Sequence, residues 1–437
     1  MPTSATSDAA IWDPAETISR PELEELQLQR LRETVSRVLR ADGLGARRLA
    51  EGGVSTSSDV ASLSDVNGIP FMTKADLRDQ YPFGLLAVPR EELVRVHASS
   101  GTHGKPTVVG YTRADLDTWT ELMARCMTMA GVRPGMLIHN ANGYGLFTGG
   151  LGFHQGGERI GATVVPVSGG FTARQALLLG DLGAQVLVST PSYALVIAQA
   201  VLDSGRDPRS LDLQLGLFGG EPWSEQLRAE IERVIGLKAM NFYGLSEMCG
   251  PGVAAECLVA RSGLHVQEDH FLVEAVDPGT GAPVPAGSEG ELVLTTLTKE
   301  ALPLIRYRTG DLVSITLEPC ECGRNTIRLM ELRGRRDDML IVRGVNVHPS
   351  QVEHVLLSVD GVAPHYQLIV ERTGAMDELT LECEPAGGAD ADELAARVGR
   401  QLQEHMGIRF EIAVRESGTI PRSEGKAVRV VDRRAGR

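Results

Sequence analysis

Ser99-Ser100-Gly101-Thr102-His103-Gly104-Lys105-Pro106 concentrates hydroxyls, glycines and a lysine in one short segment. Pro106 biases Lys105 away from helical backbone, and the glycines let successive N–H groups turn towards one point, a concavity that holds anions. Hydroxyl and ammonium donors add to the same target. A polyphosphate suits this donor set, and a solvated surface turn is the alternative. The P-loop pattern is not met, because Ser99 stands where its first glycine belongs and Pro106 replaces the Ser/Thr after the lysine. A second group is Cys257, His265, Cys320 and Cys322, the last two in Pro-Cys-Glu-Cys-Gly-Arg. These form a candidate Cys3His structural zinc site, with reduced, partly buried thiols as the alternative.

Five further segments place polar residues where ligands of α/β sheets bind, at strand ends and in loops. They are Phe218-Gly219-Gly220-Glu221-Pro222-Trp223, Asn241-Phe242-Tyr243-Gly244-Leu245-Ser246-Glu247, Tyr307-Arg308-Thr309-Gly310-Asp311, Gly334-Arg335-Arg336-Asp337-Asp338 and Pro421-Arg422-Ser423-Glu424-Gly425-Lys426. Lysine occurs only at 74, 105, 238, 299 and 426, so arginine is the default cation. Lysines kept at 105 and 426, in glycine-containing loops, point to a need for a compact charge.

These residues must be positioned by a chain of 437 residues, longer than one hydrophobic core usually holds, so two domains are expected. A net charge of −14 argues against general nucleic-acid or anionic-membrane partners. Met1–Ala10 lacks a secretory signal and no apolar run is long enough to span a bilayer, so the chain reads as cytoplasmic. A disulfide framework is not expected there.

Ser19 and Glu22 read as a capping box with Pro21 in the first turn, followed by an apolar stripe at Leu23, Leu26, Leu31, Val35 and Val38. Short apolar runs at 136–139, 163–167, 185–189, 213–218 and 238–242 then alternate with helical patterns at 173–179 and 225–235. Such alternation predicts βαβ units and a mostly parallel sheet. From about His265 turn signals at 277–279 and 286–288 separate β-type segments, predicting an antiparallel subdomain. The polar stretch 333–338 reads as a linker before a compact α+β pattern.

In this order the segments resemble the core motifs of adenylate-forming acyl-CoA synthetases, and the wording around them is similar to the phenylacetate-CoA ligase family nearly end to end. The resemblance implies an α/β fold with a large N-terminal domain (1–334) of βαβ units and a β-rich subdomain, a hinge (335–338, at Asp337) and a small mobile α+β domain (339–437). It implies ATP, Mg2+ and coenzyme A. Ser99, Ser100, Gly101, Thr102, Gly104 and Lys105 would hold the β- and γ-phosphates. Gly220, Glu221, Pro222, Asn241, Phe242, Tyr243 and Gly244 would line the adenine slot, Glu247 would ligate Mg2+, and Asp311 would accept from the ribose hydroxyls. Arg335 would touch ribose or phosphate. Lys426 would stabilise charge growing during adenylation. Gly344, Val345 and Asn346 would line the pantetheine path after the small domain rotates. On their residue types alone, Glu247 and Asp311 could instead be caps, and Lys426 a surface charge. A homodimer would accord with the family.

The implied reaction activates an aromatic carboxylate as its adenylate and passes the acyl group to coenzyme A, the alternative acceptor being an acyl carrier protein's thiol. The pocket assigned by the resemblance comprises Asn142, Phe147, Gly219, Gly220, Tyr243 and Gly244. Asn142, Gln155 and Gly220 replace the tyrosine, tyrosine and alanine usual in phenylacetate-specific members. A buried amide wants a partner, so a hydroxylated or aminated benzoate stands beside phenylacetate as substrate. If Asn142 and Gln155 are satisfied by backbone or water, the pocket is apolar instead. His103 replaces the family's usual threonine, either near phosphate or facing solvent.

Overall fold

The computed structural model describes residues 10–99, 106–330, 332, 334–335, 339–342, 345–373 and 376–434. The capping box forms as expected. Ser19 N donates to Glu22 Oε2 at 2.9 Å, and the helix Arg20–Ala41 buries Leu23, Leu31, Val35 and Val38. Its stripe also takes in Gln27, whose amide donates to the Glu268 carbonyl at 2.8 Å.

The alternating pattern becomes five parallel strands, ordered Thr163–Val165, Leu137–Asn140, Val186–Ser189, Leu215–Gly219 and Lys238–Leu245 across the sheet. The helices Thr148–Ile160, Thr172–Leu182, Pro191–Asp203 and Glu225–Ile235 connect them. Val186, Leu187, Val188 and Ser189 are all buried, as expected of a strand covered on both faces.

The antiparallel part begins earlier than the turn signals imply and continues the same sheet. Gly250–Glu256 pairs antiparallel with Lys238–Leu245, then with Leu264–Val266. Arg328–Leu329, Tyr307–Thr316, Glu289–Thr296 and Phe271–Val276 extend it to eleven strands. One sheet therefore carries both the ends of the parallel strands and Asp311. A separate hairpin, Arg95–Ser99 with Thr107–Tyr111, flanks the proposed phosphate loop.

Beyond residue 339 a second core forms around Val342, Val352, Leu356, Leu368, Leu381, Leu394 and Leu402. It lies between the helices Pro349–Leu357 and Ala391–Met406 and a sheet built from Val362–Thr373, Met376–Pro385, Glu411–Val414 and Val430–Asp432. No helix among the described residues is long and apolar enough to cross a membrane.

Candidate active site between the two domains

The parallel strands deliver the first site residues from their C-terminal ends. Gly219 ends one strand, and a Cβ there would lie 2.3 Å from the Phe242 carbonyl oxygen of its neighbour. Gly220 follows with φ +84°, a left-handed turn that glycine adopts without strain and that swings Glu221 and Pro222 away from the sheet. On the adjacent strand, alternation sends Phe242 into the core, 2 % exposed and edge-on to Phe153, while Asn241 and Tyr243 stay half-buried. The Phe242 ring thus packs in the core.

Tyr243 and Arg335 both converge on Asp311. The Tyr243 hydroxyl donates to Asp311 Oδ2, and Arg335 Nε lies 3.7 Å from Asp311 Oδ1. Burial foremost, and the adjoining carboxylate of Asp311 next, hold the Tyr243 hydroxyl well above its ordinary pKa, so it remains a donor. The Asp311 N–H donates to Thr309 Oγ1 at 3.0 Å, which sets the turn that presents the carboxylate.

Glu247 sits in the tight turn between Lys238–Leu245 and Gly250–Glu256, 4 % exposed, and no described residue donates to its carboxylate. A buried anion lacking donors fits a site for a hard cation. The turn is fastened from beneath by Lys299, whose Nζ donates to the carbonyls of Glu247 at 2.8 Å and Met248 at 2.7 Å. The same ammonium lies 4.6 Å from the Tyr111 ring centroid, and the Tyr111 hydroxyl donates to the Ser246 carbonyl at 2.9 Å. Lys299 escaped the motif reading, although the scarcity of lysine that flagged Lys105 and Lys426 applies to it equally.

Lys426 enters from the small domain. Its Cε lies 3.6 Å from where a Cβ of Gly220 would be. Part of the side chain is exposed, yet it lies deep enough between the domains for desolvation to be the leading cause that lowers its pKa. Arg335 and Lys74 lower it further, and Glu221 and Glu247 oppose them. The loop is held in place by the large domain: Thr190 Oγ1 donates to the Gly425 carbonyl at 2.9 Å, and the Ala427 N–H donates to Glu221 Oε2 at 2.8 Å. The other Glu221 oxygen accepts from the Ser192 N–H at 2.8 Å and from its hydroxyl. Glu221, expected only beside adenine, is therefore also the receptor for the lysine loop.

On the acid side, Phe147 precedes the helix Thr148–Ile160 and is 53 % exposed. Asn142 is half-buried; its N–H donates to Asn140 Oδ1 at 3.2 Å, and no described residue hydrogen-bonds its side-chain amide. Gln155 differs, since its carbonyl oxygen accepts from Arg95 at 3.2 Å and so has a protein partner. Of the phosphate loop, Ser99 is described, ending a strand with its hydroxyl buried and bonded to no described residue. Ser100, Gly101, Thr102, His103, Gly104 and Lys105 lie outside the described residues, as do Asp337 and Gly344. Val345 and Asn346 fall on a hairpin strand of the small domain, Val345–Val347. Cys257, His265, Cys320 and Cys322 are buried together as a group.

A family model described as "AMP-binding enzyme" matches residues 23–297, and one described as "AMP-binding enzyme C-terminal domain" matches 344–434. A phenylacetate-coenzyme A ligase of Thermus thermophilus is 49 % identical, over 96 % of this chain and 98 % of its own length. That of Escherichia coli is 47 % identical, over 97 % of each. This chain belongs to the phenylacetate-coenzyme A ligase family of AMP-binding enzymes. Among solved structures, a 2-hydroxyisobutyryl-CoA ligase in its postadenylation state superposes with a TM-score of 0.91 at 30 % identity, covering 99 % of this chain and 94 % of that one. The same ligase in its thioesterification state scores 0.74. The domain arrangement here is thus like the postadenylation one, which accords with the docking of the Lys426 loop on Glu221 and Thr190.

Proposed function

We propose that the protein is an ATP-dependent aryl-acid:coenzyme A ligase of the AMP-forming type. The observation that carries this is the seating of Lys426, from the small domain, over Gly220 and within the fields of Glu221 and Glu247. A carboxylate oxygen of the acid attacks the α-phosphorus of ATP, the bond to the β-phosphate oxygen breaks, and pyrophosphate leaves. The thiol of coenzyme A then attacks the acyl carbon, loses its proton, and expels AMP. In the first step Lys426 places a fixed positive charge where negative charge grows, a contribution of about 3 kcal/mol in comparable sites. Asp311, with Tyr243 and Arg335 beside it, takes the ribose, and Glu247 would hold Mg2+, which neutralises phosphate charge when bound.

The names of the full-length relatives favour coenzyme A as acceptor over a carrier-protein thiol. We assign the core to 1–334, the hinge to 335–338 and the mobile domain to 339–437, with Asp337 absorbing the rotation. Asp337→Pro should spare pyrophosphate release and stall thioester formation; an unimpaired second step removes this hinge.

The acid is aromatic, and Phe147 would stack on its ring. The Asn142 amide, which bonds no described residue, favours a hydroxyl or amino substituent. Pyrophosphate release is expected from a panel of aryl acids, with hydroxy- or aminobenzoates matching or exceeding phenylacetate. Response to phenylacetate alone overturns the polar-pocket reading, and silence to every aryl acid overturns the function.

A further inference from the structure

We propose that Cys257, His265, Cys320 and Cys322 hold a structural zinc ion that staples the antiparallel strands in the middle of the large sheet to the N-terminal segment.

The four residues come from three places. Cys257 directly follows the strand Gly250–Glu256, His265 lies on Leu264–Val266, and Cys320 and Cys322 lie in the connection between Tyr307–Thr316 and Arg328–Leu329. All four are buried, and their donor atoms lie within 4.8 Å of one another. Zinc bonds of about 2.3 Å to sulfur and about 2.0 Å to nitrogen, at tetrahedral angles, set sulfur–sulfur edges of about 3.8 Å and sulfur–nitrogen edges of about 3.5 Å. The Cys257 and Cys320 sulfurs lie 3.7 Å apart, and Cys322 Sγ lies 3.5 Å from His265 Nε2. Both distances match tetrahedral edges. A disulfide is excluded at 3.7 Å, because its sulfurs would stand at about 2.05 Å.

The surroundings orient the ligands as a metal requires. His265 Nδ1 lies 3.0 Å from Thr326 Oγ1, so a proton on Nδ1 leaves the Nε2 lone pair towards the sulfurs. The Ala260 N–H donates to Cys257 Sγ at 3.4 Å. Gly323 turns the chain back at φ +83°, its N–H donating to the Cys320 carbonyl at 2.9 Å, which folds the Cys-Glu-Cys segment into a knuckle. Immediately beyond, Arg324 donates to Glu16 Oε2 at 2.6 Å and to the Ala10 carbonyl at 2.6 Å, with both charged side chains buried. Asn325 donates to the carbonyls of Thr17 and Ile18. The knuckle is thus one anchor for residues 10–18, and an ion at its base would hold that anchor as binding energy becomes folding energy. As zinc enters, the thiols lose their protons to solvent.

The test is metal content, independent of activity. Full-length protein, freed of any metal-binding tag and produced with zinc in the medium, should carry about one zinc per chain in a tetrahedral thiolate site. Cobalt exchanged into it should show the intense visible absorption of a tetrahedral thiolate complex. Cys320→Ser combined with Cys322→Ser should lose the zinc, whereas Cys383→Ser, in the small-domain core, should keep it. Thr326→Val leaves every ligand in place and so guards against loss of fold; it should weaken retention against a chelator by about 10–100-fold. Zinc-free wild-type protein, equal zinc in wild type and the double variant, or an intact mass showing a Cys257–Cys320 disulfide would each overturn the proposal.

Discussion

Lys426→Ala is expected to lower aryl-acid-dependent pyrophosphate release by roughly 10²–10³-fold, the cost of removing one fixed charge aimed at a transition-state anion. Conversion of preformed acyl-adenylate to the thioester should survive, because in the proposed cycle the small domain turns Lys426 away before that step. Equal loss in both half-reactions would sink the assignment. The environment adds a pH signature. Desolvation, with Arg335 and Lys74, lowers the ammonium's pKa against the opposing Glu221 and Glu247. Adenylation needs the cation, so its rate should fall as pH rises through this depressed pKa, below the ordinary lysine value of about 10.4. In Lys426→Arg the guanidinium keeps its charge, and whatever activity survives should lose that alkaline limb. An unchanged limb would place the titration elsewhere.

Lys299→Met should also impair adenylation, although its ammonium is buried beneath the Glu247 turn and touches no substrate. Met fills similar volume, so the loss isolates the two charged hydrogen bonds to the carbonyls of Glu247 and Met248 and the contact with Tyr111. Hydrogen bonds from a charged donor are worth about 1.5–3 kcal/mol each, and the bared carbonyls add a desolvation cost. The melting temperature should fall. At temperatures where the variant remains folded, adenylation should fall by about tenfold or more as the Mg2+ dependence shifts to higher concentration, since a displaced Glu247 would weaken the proposed cation site. Normal kinetics and Mg2+ dependence in the folded variant would reduce Lys299 to a stabilising role and remove it as a positioning residue.

Local patterns made much of the architecture legible. The Ser19–Glu22 box, the apolar stripe behind it and the strand–helix alternation from 136 to 242 are short-range signals, and each formed its element. Turn signals announce the antiparallel strands because they mark where a chain reverses, but they do not say which strand each one pairs with. Pairing of Gly250–Glu256 with Lys238–Leu245 joins them into one sheet. A motif names residues without their faces, and it is strand alternation that turns the Phe242 ring into the core.

The residue types themselves determined the chemistry on offer: donors for phosphate, carboxylates for a cation and for ribose, a scarce lysine for transition-state charge, thiols and an imidazole for a metal. Tertiary structure alone decided which of these meet. The loop that carries Lys426 docks on Glu221 through the Ala427 N–H, a contact between residues far apart in sequence that no periodicity could announce. Lys299 reaches the Glu247 turn from another strand connection, and Cys320 and Cys322 close on Cys257 and His265 through the pairing of Arg328 with His265. Helix and strand signals act within a few residues, whereas such contacts are set by how a sheet and two cores pack, and that packing alone brings these distant side chains to one point.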